Sequence, residues 1–234
     1  MLYDNAQFVL LLSKYCKINP DNNFKDKLEQ TIEFLKKNFL NKEGFFGSAY
    51  DADSEGEEGK YYVYSYSEIK NIENIEKYFE IKNEGNWENK IILVEKQLPP
   101  DELIKKLLKI RSKRKKPLFD DKTQLDLNCM WVSALITAND VLPNKGYLKL
   151  SEEFFSKIEK KYIKNKIYHS FSKDIVFIED YAFLINALND LSDKTMNFKY
   201  KDLAKKLTKE AIIEFYSEEK NIFQKNKTSS DDIF

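Results

Sequence analysis

Two carboxylates stand directly before an apolar helical run at Ile178-Glu179-Asp180-Tyr181-Ala182-Phe183-Leu184, and that arrangement recurs. Tyr3-Asp4-Asn5-Ala6 precedes a helix in the same way, and Asp126-Leu127-Asn128-Cys129 is a weaker third copy. A carboxylate at such a start accepts backbone N–H groups that have no partner inside the helix, and it complements the helix dipole. Each start is followed by one amphipathic helix and then by a second. Hairpins of this kind bury their apolar faces only by stacking, in a solenoid or in a closed α/α toroid. The pattern therefore predicts an all-α fold with its acidic helix starts gathered at one end.

The periodicity places helices from about Asp4 to Cys16, over Phe24 to Phe39, from Leu127 to about Val141, over Tyr147 to Tyr162, from Glu179 onward, and over Phe198 to Phe215. A stretch of different texture, about 44–125, interrupts the rhythm as an insertion. Within it, Phe45–Tyr50 and Lys60–Tyr66 read as two strands of a hairpin, with Tyr62, Tyr64 and Tyr66 on one face. Ser65 with Glu68 reads as a capping box. Ile91–Val94 reads as a short strand, and Leu103, Leu107 and Leu108 mark a further helix. Ile167-Tyr168-His169 and Ile175-Val176-Phe177 read as short strands. Three helix ends look alike: Phe39 to Phe46, Tyr162 to Tyr168 with its turn at Lys164-Asn165, and Phe215 to Phe223. The last two lie about 50 residues apart, a period of helical-hairpin repeats.

Charge is abundant but balanced, with 39 basic and 39 acidic residues. Such a chain has no net field to draw it to nucleic acid or to an anionic membrane. The basic stretch Arg111 to Lys116 reads as a solvated helix end. No run approaches the roughly 20 apolar residues of a membrane span. The apolar run Phe8–Leu12 follows Asp4 with no basic region before it, unlike a signal peptide. A soluble, cytoplasmic protein is expected. Cys16 and Cys129 form no metal or redox motif and read as buried thiols. No cofactor and no metal are implied. Asp51, Asp53, Glu55 and Gly56 begin like a calcium loop, but position twelve, which needs a bidentate Glu, holds Tyr62.

In a toroid the inner helices point like ends at a shared cavity. Asp4, Asn5, Asn128, Glu179, Asp180 and Tyr181 would then converge. Taken singly, Asp4, Glu179 and Asp180 are also ordinary helix caps. Two carboxylates across a cavity can act as acid and base on a glycosidic bond. That reading assigns Asp180, Asp4 and Glu179 to catalysis, and Tyr3, Asn5, Asp51, Asp53, Asn128 and Tyr181 to substrate binding. His169, the single histidine, reads as an exposed or partly packed residue of a strand.

Four segments carry a further signal when taken in order. They are Met1-Leu2-Tyr3-Asp4-Asn5-Ala6-Gln7, Asp51 to Val63 with its acidic run, Asp120-Asp121-Lys122, and Glu179-Asp180-Tyr181-Ala182-Phe183. Together they resemble the YyaL / spermatogenesis-associated protein 20 family of thioredoxin-domain-containing proteins. The resemblance implies an incomplete (α/α) toroid, six-hairpin glycosidase-like, with a small β-hairpin insertion. It implies Asp51 and Asp53 turned toward the cavity. Residues 1–234 would correspond to the middle of such a protein, without its thioredoxin domain and last hairpins. Where the family has Trp-Asn-Gly, this chain has Leu127-Asn128-Cys129. The function expected is binding or processing of a small sugar, with the reaction undefined. The alternatives are a non-catalytic interaction or scaffold module for a thioredoxin-like domain in trans, and an inactive fragment of a split protein.

Overall fold

The computed structural model describes residues 1–163, 166–170 and 175–227. Lys164 and Asn165, the turn of the middle repeat copy, lie outside the described residues. In chain order the helices are α1 (Leu2–Ile18), α2 (Asn22–Asn38), α3 (Tyr66–Ile69), α4 (Ile75–Tyr78), α5 (Asp101–Arg111), α6 (Leu125–Asn139), α7 (Tyr147–Ile158), α8 (Ile178–Thr195) and α9 (Phe198–Phe215). Two compact units divide the chain: Met1–Ala49 with Asp121–Phe234, and Tyr50–Asp120.

The first unit is built of three hairpins. α1 packs on α6 and α6 on α8, so these three form an inner row. α2 lies on α1, α7 on α6 and α9 on α8. This layering is the expected incomplete α/α toroid of stacked hairpins. The sequence dictates which helix takes which place. α2 is apolar on one stripe, with Leu28, Ile32 and Leu35 fully buried and Lys and Glu outside, as suits an outer helix. α6 has neighbours on several sides, and it is apolar nearly all round: Leu125, Cys129, Trp131, Val132, Leu135 and Ala138 are all buried. Phe45 and Phe46 close the core from the loop after α2. Phe45 meets Phe154 and Tyr162 edge-on at 5.9 and 5.8 Å, and Phe46 rests against Trp131 at 5.1 Å. Both cysteines are buried free thiols. No helix among the described residues is long and apolar enough to cross a membrane.

The second unit corrects the hairpin reading. Phe45 and Phe46 belong to the core of the first unit, so they are not available to pair with Lys60–Tyr66. The ladder that forms is shorter, Asp53–Ser54 against Glu57–Glu58. It closes through Glu55 and Gly56, both at positive φ (57° and 78°), as a two-residue turn with right-handed strand twist requires. Nor do Tyr62, Tyr64 and Tyr66 share a face. Tyr64 is buried and exchanges two backbone hydrogen bonds with Ile91 (2.9 and 2.7 Å), Tyr62 is half exposed, and Tyr66 opens α3. The capping box holds: Ser65 N–H donates to Glu68 at 2.7 Å. Val94–Glu95 pairs with Phe79–Glu80.

Tyr64, Ile69, Ile75, Phe79, Ile91, Leu103 and Leu107 form this unit's core. Arg114 staples it. The guanidinium donates to the carbonyls of Tyr61 and Val63 (2.8 and 2.5 Å), pairs with Glu68 at 3.0 Å, and lies over the Tyr64 ring. The two ends of the unit are tied together. Asp51 N–H donates to Leu118 O at 2.8 Å, and the Tyr50 and Phe119 rings meet at 4.8 Å.

Candidate functional site

The inner row of the first unit carries a groove of about 480 Å³. Gln7, Leu10 and Lys14 line it from α1, Met130, Ser133 and Thr137 from α6, and Phe183, Asn186, Asn189 and Asp190 from α8. On each helix the spacing is three or four residues, which is one helical face. One turn toward the N-terminus, the same faces begin with Tyr3, Asp126 and Glu179, each the second residue of its helix.

At this end α6, α8 and the segment 166–170 bring together Asp126, Asp180 and His169. The segment is tied down by backbone bonds: Leu125 N–H donates to His169 O (2.9 Å), and His169 N–H to Ile175 O (2.8 Å). The expected strand pair 167–169 and 175–177 thus reduces to one backbone bond plus a bridge from Ser170 to Gln124. His169 Nδ1 stands 2.9 Å from Asp180 Oδ1 and 4.0 Å from Asp126 Oδ1. The other Asp180 oxygen accepts Phe177 N–H at 2.9 Å, which caps α8. On its far side, His169 Nε2 meets the Gln124 amide at 2.8 Å, and Ser48 Oγ lies 2.8 Å from that amide and 2.7 Å from Lys122 O.

The Ser48 hydroxyl has one hydrogen for two acceptors if the Gln124 oxygen faces it. The two ends of an amide are alike in shape, and the reversed orientation resolves the conflict. Nε2–H then donates to the Gln124 oxygen, the Gln124 N–H to Ser48, and the Ser48 hydroxyl to Lys122 O. In that orientation the ring would donate from both nitrogens. The hydrogen bond to Asp180 raises the His169 pKa, burial opposes this, and the charges of Asp180, Asp126 and Glu179 add to the rise.

The other carboxylates behave differently. Burial first, and then the Asp180 charge, push the Asp126 carboxyl above its ordinary value, while the Leu127 N–H and His169 hold it back. Glu179 has one carboxylate oxygen that is buried with no hydrogen-bond partner among the described residues. Asp126, His169 and Asp180 can also each turn one ligand atom to a cation, all within 4.8 Å of one another.

At the other end of the row the charges are compensated. Asp140, at the end of α6, pairs with Lys17 of α1 and, at 2.6 Å, with Lys194 of α8. Burial alone would raise its carboxyl; the hydrogen bonds of the two lysines bring it below the usual range.

The residues expected from sequence are distributed as follows. Tyr3 and Glu179 head the groove faces. Asp4 is exposed and pairs with the Met1 amine at 3.1 Å, and the Asn5 amide donates to Met1 O at 2.8 Å. Asn128 is fully buried: its side chain accepts Phe46 N–H and donates to Phe46 O, both at 3.0 Å. This amide therefore anchors the loop after α2, in place of the substrate contact expected of it. Asp180 is fully buried behind His169. Tyr181 is buried edge-on against Phe215 at 5.4 Å, and burial raises its hydroxyl. Asp51 and Asp53 lie in the second unit, where Asp53 N–H reaches Asp51 at 3.3 Å. The groove end gathers two residues that the sequence reading named but did not place in the site, Asp126 and His169. The signal for Asp126 was its place as second residue of α6, equivalent to Glu179 on α8.

No family model and no curated protein matches the chain. Among solved structures, a crystal structure of D-mannose isomerase is similar at 12% identity, covering 96% of this chain and 78% of that one, with a TM-score of 0.41.

Proposed function

We propose that the hairpin unit binds, and acts by proton transfer on, a hydroxyl-rich ligand of the carbohydrate class. One observation carries the reading: Asp126 and Glu179 stand one turn above a groove that sets side-chain amides and hydroxyls among the apolar Leu10, Met130 and Phe183. Sugar hydroxyls both donate and accept, and neutral groups such as Gln7, Ser133, Thr137 and Asn186 answer them without the desolvation cost of charges. In this scheme Asp126 holds the proton to be given, Glu179 receives one, and Asp180 with Gln124 fixes the His169 ring as a positive wall. Both ring nitrogens have partners, so His169 is a positioning residue. The resemblance to the YyaL / spermatogenesis-associated protein 20 family supports the same reading, and a cytoplasmic setting is part of the proposal.

Isothermal titration with neutral monosaccharides and short glycans tests it. At least one should bind saturably, and Asp126→Asn should weaken it about tenfold or more without lowering the melting temperature. A panel that gives no heat with the unaltered protein removes the proposal.

One observation favours a second reading, an interaction module. Phe8, Leu11, Tyr15 and Ile18 form an exposed stripe along α1. The partner proposed for it is the thioredoxin-like domain in trans that the resemblance implies. Co-purification of that pair, abolished by Leu11→Glu, is the expected result; a protein that stays monomeric with the domain present counts against it.

A further inference from the structure

Resting on the carbohydrate reading above, we infer that the ligand is a linear glycan lying along the helix axes, rather than a single ring seated at the carboxylates. The groove is longer than one ring. From Met130 to Thr137 the lining face of α6 runs seven residues, about 10 Å at the helical rise, and Asp126 stands one turn above it. Its volume, about 480 Å³, falls among pockets that hold ligands of several rings, roughly 300–1,000 Å³.

The lining changes character along that length in a way that suits a chain. At the head stand the groups able to move protons. Phe183 follows one turn below Glu179 and offers a flat apolar surface for a ring face. Farther down come the amides of Asn186 and Asn189, which make no side-chain hydrogen bond among the described residues and so remain open to hydroxyls. Lys14 and Asp190 come last, of opposite sign, and leave that stretch without net charge. The Lys17–Asp140–Lys194 bracket marks the end of the row. A neutral chain with its reacting end at Asp126 would run past Phe183 and Met130 and then reach the amides of Asn186 and Asn189. A monosaccharide at the head leaves the lower amides in water.

The test is calorimetry with glucose-based and mannose-based oligosaccharides of increasing length, against the unaltered protein, Asn189→Leu and Thr137→Val. Affinity should rise about tenfold or more from monosaccharide to trisaccharide and then level off. In each variant that gain should shrink toward one. Two variants at separate helices guard against a single misfolded protein, and melting curves identify one. If monosaccharide and trisaccharide bind equally well, the linear-glycan inference falls while the carbohydrate reading stands. If the length gain survives in both folded variants, the lower groove is not the site and the inference falls again. If no sugar binds, both fall.

Discussion

The inner helices carry charge at both of their ends and use it differently. At the C-terminal end one carboxylate, Asp140, faces two lysines. At the N-terminal end three carboxylates, Asp126, Glu179 and Asp180, share one imidazole. The first arrangement is neutralised and half open to water, which is the condition in which ion pairs add little but cost little. The second is largely buried and carries excess negative charge, which a fold would not adopt for stability. The proposed chemistry is placed at the uncompensated end for that reason, and the compensated end is read as a fastening.

That contrast can be broken by substitution. Asp180→Ala should have the largest effect, because it leaves the largely buried His169 Nδ1 and the Phe177 N–H without their acceptor. A loss of about 3–5 kcal/mol is expected from chemical denaturation; a loss below 1 kcal/mol would show that the dyad is not a buried pair. Asp126→Asn should act in the opposite direction. It removes a carboxylate whose ionisation burial disfavours, and the amide can still accept Leu127 N–H, so stability at neutral pH should rise by about 0.5–2 kcal/mol while sugar affinity falls. Destabilisation together with lost affinity would instead make Asp126 a structural residue. Asp140→Ala should cost about 1 kcal/mol or less despite its two partners, since both lysines are well exposed. A much larger loss would mean that the bracket holds the row together.

The smallest effect is expected from pH. The His169 pKa is raised in the fold. Its contribution is therefore fully present below the unfolded value, about 6.5, and is lost as pH rises through the higher folded value. Melting temperature should decline above neutrality in the unaltered protein and decline less in His169→Gln. Equal slopes would place the ring outside the titrating network.

Helices were legible from the sequence because apolar spacing of three and four residues is a local property. The short strands were not. Phe45 and Phe46 look like strand residues, yet their fate was decided by Trp131, Phe154 and Tyr162, far away in the chain. The acidic helix starts were visible too, but not which residue of each start faces the groove. One residue of helix turns a side chain by about 100°, and that separates exposed Asp4 from Tyr3, and buried Asp180 from Glu179. His169 was unreadable for another reason. A lone histidine in an irregular segment gains its meaning only when Asp180, Asp126 and Gln124 arrive from elsewhere.

The tied ends of the Tyr50–Asp120 unit have a consequence for how such a chain can change. Asp51 bonded to Leu118 and Tyr50 stacked on Phe119 mean that the segment leaves and returns at nearly one point. Excising it calls for a short turn and no rethreading of the three hairpins. The cassette can be lengthened, exchanged or dropped on a timescale of its own, while the helices keep their register.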